Sequence, residues 1–203
     1  MKPALALWLG GLAGGALYLL GWLTPGGAVA AGLLGALALL WGGPEETALL
    51  VAFVAASNLL GRPTRRRASQ VLANGLPAVL ALLCCQAGFL GALGAAAADT
   101  LASEVGTKAP SAWRPDLGRV PAGTNAAMSL RGTIALLAAA AAVAAVAPLF
   151  GASPVAVFAG ASAGAMADTA IGLLLEERLK FWGNDLTNLA ATSIGALVAA
   201  LLG

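Results

Sequence analysis

The sequence predicts an all-α, polytopic transmembrane bundle of about seven to eight segments, on three observations. Of its 203 residues, 60% are apolar and 10% are charged, against about 25% charged in an ordinary soluble domain. Leu, Ala, Val and Gly fill runs of about 15 to 23 residues, and about 20 helical residues at 1.5 Å each cover a 30 Å hydrocarbon layer. The runs lack the period-two alternation of barrel strands, so only helices satisfy their backbone in lipid.

In chain order the segments are Ala4 to Leu23, Gly26 to Trp41, Glu45 to Leu60, Val71 to Gln86, Gly88 to Val105, Leu130 to Phe150, Pro154 to Leu175 and Asp185 to Leu202. Pro44 and Pro154 stand where a helix tolerates a first-turn proline, and Trp22, Trp41 and Trp182 lie at segment edges as an interfacial belt requires. The second, third and fourth segments are short, and a merged or re-entrant pair among them lowers the count. The first apolar stretch exceeds the 7 to 15 residues of a secretory signal, so it reads as a retained helix, with Ala28-Val29-Ala30 as the cleavage alternative. The chain reads as a single integral-membrane domain over 1–203, with N-terminal helices over 4–60 and a motif-bearing core over 62–203.

If every segment crosses once, Arg62, Arg65, Arg66 and Arg67, then Lys108, Arg114, Arg119 and Arg131, then Arg178 and Lys180 share one side. The opposite loops, at Gly42 to Glu46, Ala87 and Gly151 to Ser153, have no lysine or arginine, and only Lys2 dissents. The positive-inside rule then places loops 61–70, 106–129 and 176–184 in the cytoplasm, on the inner side of the cell membrane. A net charge of +2, from 11 basic and 9 acidic side chains, makes no nucleic-acid surface. The absence of histidine removes the usual zinc sites, catalytic triads and histidine proton shuttles. Cys84 and Cys85, adjacent in an apolar run, read as packing residues.

The informative residues are polar groups that lipid penalises. An aspartate at a helix centre costs about 2.5 to 3.5 kcal/mol on insertion scales, so Asp99 and Asp168, each in an Ala-Asp-Thr context near the inner end of its helix, call for a reason. Ser103 shares the face of Asp99, and Glu104 stands near the mouth. Asn184, Asp185 and Asn188 open the last segment, with Asn184, Asn188 and Thr192 in one stripe. Arg67, Gln70 and Asn74 share a face before the fourth segment.

The loop from Gly106 to Ser129 adds Lys108, Arg114, Arg119 and a Gly123-Thr124-Asn125 turn, while Ser129 precedes a helix whose free amides favour an anion. Carboxylates beside cations and a glycine turn suit Mg²⁺ with phosphate, since Mg²⁺ takes one or two carboxylates plus phosphate oxygens. Each feature also has a plainer reading. The aspartates also read as interhelical hydrogen-bond partners or an ion path, the arginine run as a topology signal, and Asn184 and Asp185 as helix caps. Glu45 and Glu46, like Glu176 and Glu177, read as solvated turns, and the pairs Gly10/Gly14 and Gly160/Gly164 as helix packing.

Together, QVLANG (Gln70 to Gly75), ADTLASEVG (Ala98 to Gly106), GRVPAGTNAAMSLRG (Gly118 to Gly132), GAMADTAIG (Gly164 to Gly172) and NDLTNLAATSIGA (Asn184 to Ala196) resemble the integral-membrane family that includes transmembrane protein 19 and the plant phytyl-phosphate kinase. More distantly the pattern is similar to CTP-using dolichol kinases and phosphatidate cytidylyltransferases. The resemblance implies roles for Asp99, Ser103 and Glu104 as the acidic helix motif, Gly123, Thr124 and Asn125 as the glycine turn, Asp168 as the second aspartate, and Gln70, Asn74, Asn184, Asp185 and Asn188 as flanking polar motifs. It departs from the family pattern where Ala126-Ala127 replaces a glycine pair and Gly118 stands where lysine is common.

The expected function is Mg²⁺-dependent phosphoryl transfer from a nucleoside triphosphate, such as CTP, to an isoprenoid monophosphate in the membrane. Asp99, Asp168 and Asp185 are the expected metal ligands, with Glu104 beside them. Arg67, Lys108 and Arg119 are expected to balance phosphate charge, and Gln70, Asn74, Ser103, Gly123, Thr124, Asn125, Ser129, Asn184 and Asn188 to bind substrate. The alternatives are a cation- or proton-coupled carrier and a non-catalytic lipid-binding protein. Homo-oligomerisation is left open.

Overall fold

The computed structural model describes residues 1–60, 64–176 and 178–203. Arg62 and Glu177 of the sequence reading therefore lie outside the described residues. The described chain forms eight α-helices: α1 (Pro3–Leu19), α2 (Pro25–Trp41), α3 (Pro44–Leu60), α4 (Ala68–Ala81), α5 (Gln86–Gly106), α6 (Leu130–Val146), α7 (Pro154–Ile171) and α8 (Asn184–Leu202). A 3-10 turn, Ala147–Phe150, extends α6, and a π turn, Gly172–Glu176, extends α7. With those extensions, Leu130–Phe150, Pro154–Glu176 and Asn184–Leu202, of 21, 23 and 19 residues, are long and apolar enough to cross a membrane. The helices α1, α2 and α4 are apolar but shorter.

Caps set the helix starts. Thr24, Ser129 and Ser153 accept hydrogen bonds from the amides of Gly27, Gly132 and Ala156, and proline occupies the first turn of α1, α2 and α7. Two differences from the sequence reading bear on the site. The fourth helix runs Ala68–Ala81, so the cysteines fall in the α4–α5 turn, where Cys84 is exposed and Cys85 caps α5 through a 3.4 Å bond from the Gly88 amide. The long loop also holds a hairpin, β1 (Ala112–Arg114) against β2 (Gly118–Val120), with Arg114 opposite Gly118. Pro115 and Asp116 start its turn and Gly118, at φ 72, completes it. Lysine there, common in the resembling family, would be strained.

The helices α5, α6, α7 and α8 pack on one another, α1 packs on α2, and α4 joins the two groups through α2, α5 and α8. Gly10 and Gly14 lie against the α2 backbone, and Gly195 sits where three helices meet. A Cβ on Gly195 would stand 2.8 Å from the Gly91 carbonyl oxygen and 3.3 Å from that of Gly160. Small residues replace a hydrophobic drive that lipid does not supply.

Pro77 lies inside α4 and cannot donate to the carbonyl four residues back, that of Ala73. The buried Thr192 hydroxyl of α8 reaches the gap, 2.9 Å from the Ala73 oxygen, and shares its one proton with the Asn188 carbonyl of its own helix at 2.8 Å.

Two substitutions read this packing through thermal unfolding of the detergent-solubilised protein. Gly195→Ala is expected to lose about 1 to 3 kcal/mol by overpacking, whereas Gly15→Ala, whose new methyl meets nothing within 4 Å, gains about 0.5 to 1 kcal/mol of helix propensity. Thr192→Val leaves the Ala73 carbonyl unsatisfied and is expected to cost about 1 to 3 kcal/mol. Equal melting temperatures for Gly195→Ala and Gly15→Ala would contradict the three-helix contact.

Candidate functional site

Helices α5 and α7 run in the same direction and touch through small residues, since a Cβ on Gly164 would stand 2.6 Å from that of Ala95. One turn further on the same faces come Asp99 and Asp168. Their carboxyl groups lie close enough to act on one another electrostatically. Asp168 Oδ1 is buried and has no hydrogen-bond partner.

The pair stands on the wall of a polar cavity of about 210 Å³ between the end of α5, the starts of α6 and α8, the end of α7 and the glycine turn. Of the residues predicted from sequence, Asp99, Ser103, Gly123, Thr124, Asn125, Ser129, Asp168 and Asn184 line it. Some of these groups already serve the fold. Ser129 Oγ accepts from the Gly132 amide at 3.1 Å and lies 3.2 Å from the Gly106 carbonyl, and the Thr124 hydroxyl donates to the Pro121 carbonyl at 2.7 Å.

The other predicted residues lie elsewhere. Asp185, expected as a third metal ligand, faces away to Arg67, with N and O atoms 3.8 Å apart. Among the described residues no group of three acidic, cysteine or histidine side chains is placed to hold a metal. Glu104 follows Ser103 around α5 and lies near enough for its charge to act on Arg66. Gln70 and Asn74 line a separate apolar cavity. Lys108 is exposed, and Asn188 is absent from the wall. Arg119 pairs across the hairpin with exposed Trp113, on the strand face opposite the lining residue Ala112, and donates to Ser111 Oγ at 3.1 Å. Strand alternation thus points it away from the cavity.

Arg114 is instead a buried strut. It grips Asp116 through two bonds of 2.8 and 3.1 Å and donates to the Asn125 carbonyl at 3.3 Å. The Arg114 hydrogen bonds hold the Asp116 carboxyl below its ordinary range.

Sequence reasoning missed Thr107, Thr133 and Thr169, which also line the cavity. The signal was present for Thr133, four residues after Ser129, and for Thr169, next to Asp168. Glu176 is not a plain solvated turn. The π turn carries it to where Asp168 feels its charge, and Thr187 Oγ1, itself accepting from Trp182 Nε1 at 3.2 Å, lies 3.4 Å from Glu176 Oε2. Glu46 departs likewise: it is 6% exposed and accepts from Gln86 Nε2 at 2.7 Å, at the opposite end of the bundle.

The glycine turn contains one strained residue. Ala126, which stands where a glycine pair was expected, has φ 56. A left-handed alanine costs about 1 to 2 kcal/mol, and glycine gives back about 0.5 to 1 kcal/mol in flexibility. Ala126→Gly is therefore expected to raise stability by up to about 1 kcal/mol, read as a higher melting temperature. A lower one would refute the strain.

Neither a search of curated proteins nor a search of solved structures returns a match. A family profile described as integral membrane protein DUF92 matches residues 9–196. Nearly the whole chain, including every residue that lines the cavity, is thus covered, and the protein belongs to the integral membrane protein family DUF92.

Proposed function

We propose that the polar cavity is the active site of a prenyl-phosphate kinase, which transfers a phosphoryl group from a nucleoside triphosphate such as CTP to an isoprenoid monophosphate. The observation that carries this reading is that Asp99 and Asp168 stand together, near enough to act on one another, on the wall of a cavity otherwise rich in hydroxyl and amide groups. The resemblance to the family of the plant phytyl-phosphate kinase supports it, and so does the clustering of basic loops at the cavity's end of the bundle. By the positive-inside rule that end faces the cytoplasm across the cell membrane.

Two adjoining carboxylates need a cation or a proton between them, and the Asp168 Oδ1 atom lacks a partner. Asp99 and Asp168 therefore fit Mg²⁺, which takes one or two carboxylates and completes its shell with phosphate oxygens. When bound, Mg²⁺ neutralises charge on the transferring phosphates.

The protein's own groups position the reactants. The open amides at the starts of α6 and α8 favour phosphate oxygens, and Ser103 supplies a hydroxyl donor, while the hydroxyls of Thr107 and Thr133 donate to the Glu104 and Ser129 carbonyls. An oxygen of the acceptor phosphate bonds to the γ-phosphorus as its bond to the bridging oxygen breaks, releasing a nucleoside diphosphate. A monophosphate with a second pKa near 6 arrives largely ionised, so no general base is needed. That agrees with a chain lacking histidine.

Purified protein in detergent, given Mg²⁺, γ-labelled CTP or ATP and farnesyl, geranylgeranyl or phytyl monophosphate, is expected to form labelled prenyl diphosphate. Asp168→Asn should lower kcat by about 10² to 10³-fold, and chelation of Mg²⁺ should abolish turnover. No diphosphate with any acceptor, together with liposomal ion flux that Asp168→Asn removes, would establish a carrier instead.

A further inference from the structure

The π turn at the end of α7, Gly172–Glu176, holds an extra residue and so rotates the side chains beyond it about the helix axis. Here it carries the half-buried Glu176 to the glycine turn. Glu176 Oε2 lies 3.7 Å from where a Cβ on Gly172 would stand, and Asn125 Oδ1 and the Ala126 Cβ lie at the same 3.7 Å from that point. Asn125 and Ala126 line the polar cavity, whereas Glu176 does not. Its carboxylate therefore stands one layer behind the wall, at the corner where α7, α8 and the glycine turn meet.

The carboxylate is held in that position. Thr187, 1% exposed on the first turn of α8, accepts from Trp182 Nε1 at 3.2 Å and turns its own proton to Glu176 Oε2 at 3.4 Å. An indole N–H only donates, so the chain of donors runs one way, from Trp182 through Thr187 to the carboxylate. Among the described residues Glu176 has no ion-pair partner. Its charge reaches Asp168, on the cavity wall. A tethered anion without a cation of its own, set behind a wall that already carries two aspartates, acts on a ligand without touching it.

We propose that Glu176 determines which form of ligand the cavity admits: its carboxylate favours a divalent cation and turns away a polyphosphate that arrives without one. The polyphosphate half rests on the kinase reading. The cation half rests only on Asp99 and Asp168 as the ion's ligands.

Two binding measurements on the full-length protein in detergent, neither involving turnover, test this. Mn²⁺ binding is read from the electron paramagnetic resonance of the free ion, and binding of labelled CTP in excess EDTA by equilibrium dialysis. Glu176→Gln, whose amide oxygen still accepts from Thr187, is expected to weaken Mn²⁺ about tenfold and to strengthen metal-free CTP by about the same factor. Glu176→Asp, which keeps the charge, should stay within about twofold of the unchanged protein in both. Asp168→Asn should abolish Mn²⁺ binding. A structural lesion weakens both ligands together, so a fall in both with Glu176→Gln, or no change in either, overturns the proposal. Mn²⁺ binding that survives Asp168→Asn places the ion elsewhere and overturns it as well. The two readings fail separately. CTP that binds with Mg²⁺ while Glu176→Gln moves neither measurement keeps the kinase and removes the selector. CTP that binds no form of the protein, with or without Mg²⁺, removes the kinase, and a Mn²⁺ affinity that still falls in Glu176→Gln keeps the residue's hold on the cation.

Discussion

The close glycine and alanine contact among α5, α7 and α8 sets the rest of the structure. Gly91, Ala95 and Asp99 lie four residues apart along α5, as do Gly160, Gly164 and Asp168 along α7, and Gly195 of α8 touches both rows. Because the two helices run parallel, each step along one row is matched on the other. The third step brings the carboxyl groups together. A larger side chain at the first or second step would move the helix axes apart and part the aspartates with them. Packing in the apolar half of the bundle and the chemistry of its polar end are therefore one geometric problem.

The Ala-Asp-Thr core shared by α5 and α7 was visible in the sequence, but its meaning was not. Residue identity shows that two aspartates share a neighbourhood of small residues; only the parallel packing shows that they face each other. The hydrophobic runs located all eight helices to within about five residues, because an apolar stretch bounded by polar, proline and glycine residues leaves a helix little freedom in where it begins and ends. The polar groups were harder to place. Asp185 and Arg67, Glu46 and Gln86, and Glu176 and Thr187 each find a partner on another helix. Long-range pairing of this kind leaves no periodic trace. The hairpin was legible from Pro115-Asp116 and Gly118 yet went unread, since apolar periodicity says nothing about a short polar insert.

The cations of the long loop show the same limit. By composition Arg114 and Arg119 look equivalent. Strand alternation puts one inside, where Asp116 and the Asn125 carbonyl consume its donors, and the other outside beside Trp113. Arg114 thereby braces the turn that shapes the cavity wall. The residues lining that wall, among those described, include two aspartates and no lysine or arginine.

That charge balance constrains any ligand. A polyphosphate entering a wall with two carboxylates is repelled until a counter-charge arrives, and hydroxyls, amides and helix starts supply only partial positive charge. On the kinase reading the nucleotide and the divalent ion must therefore bind as a unit, each cancelling the charge that excludes the other.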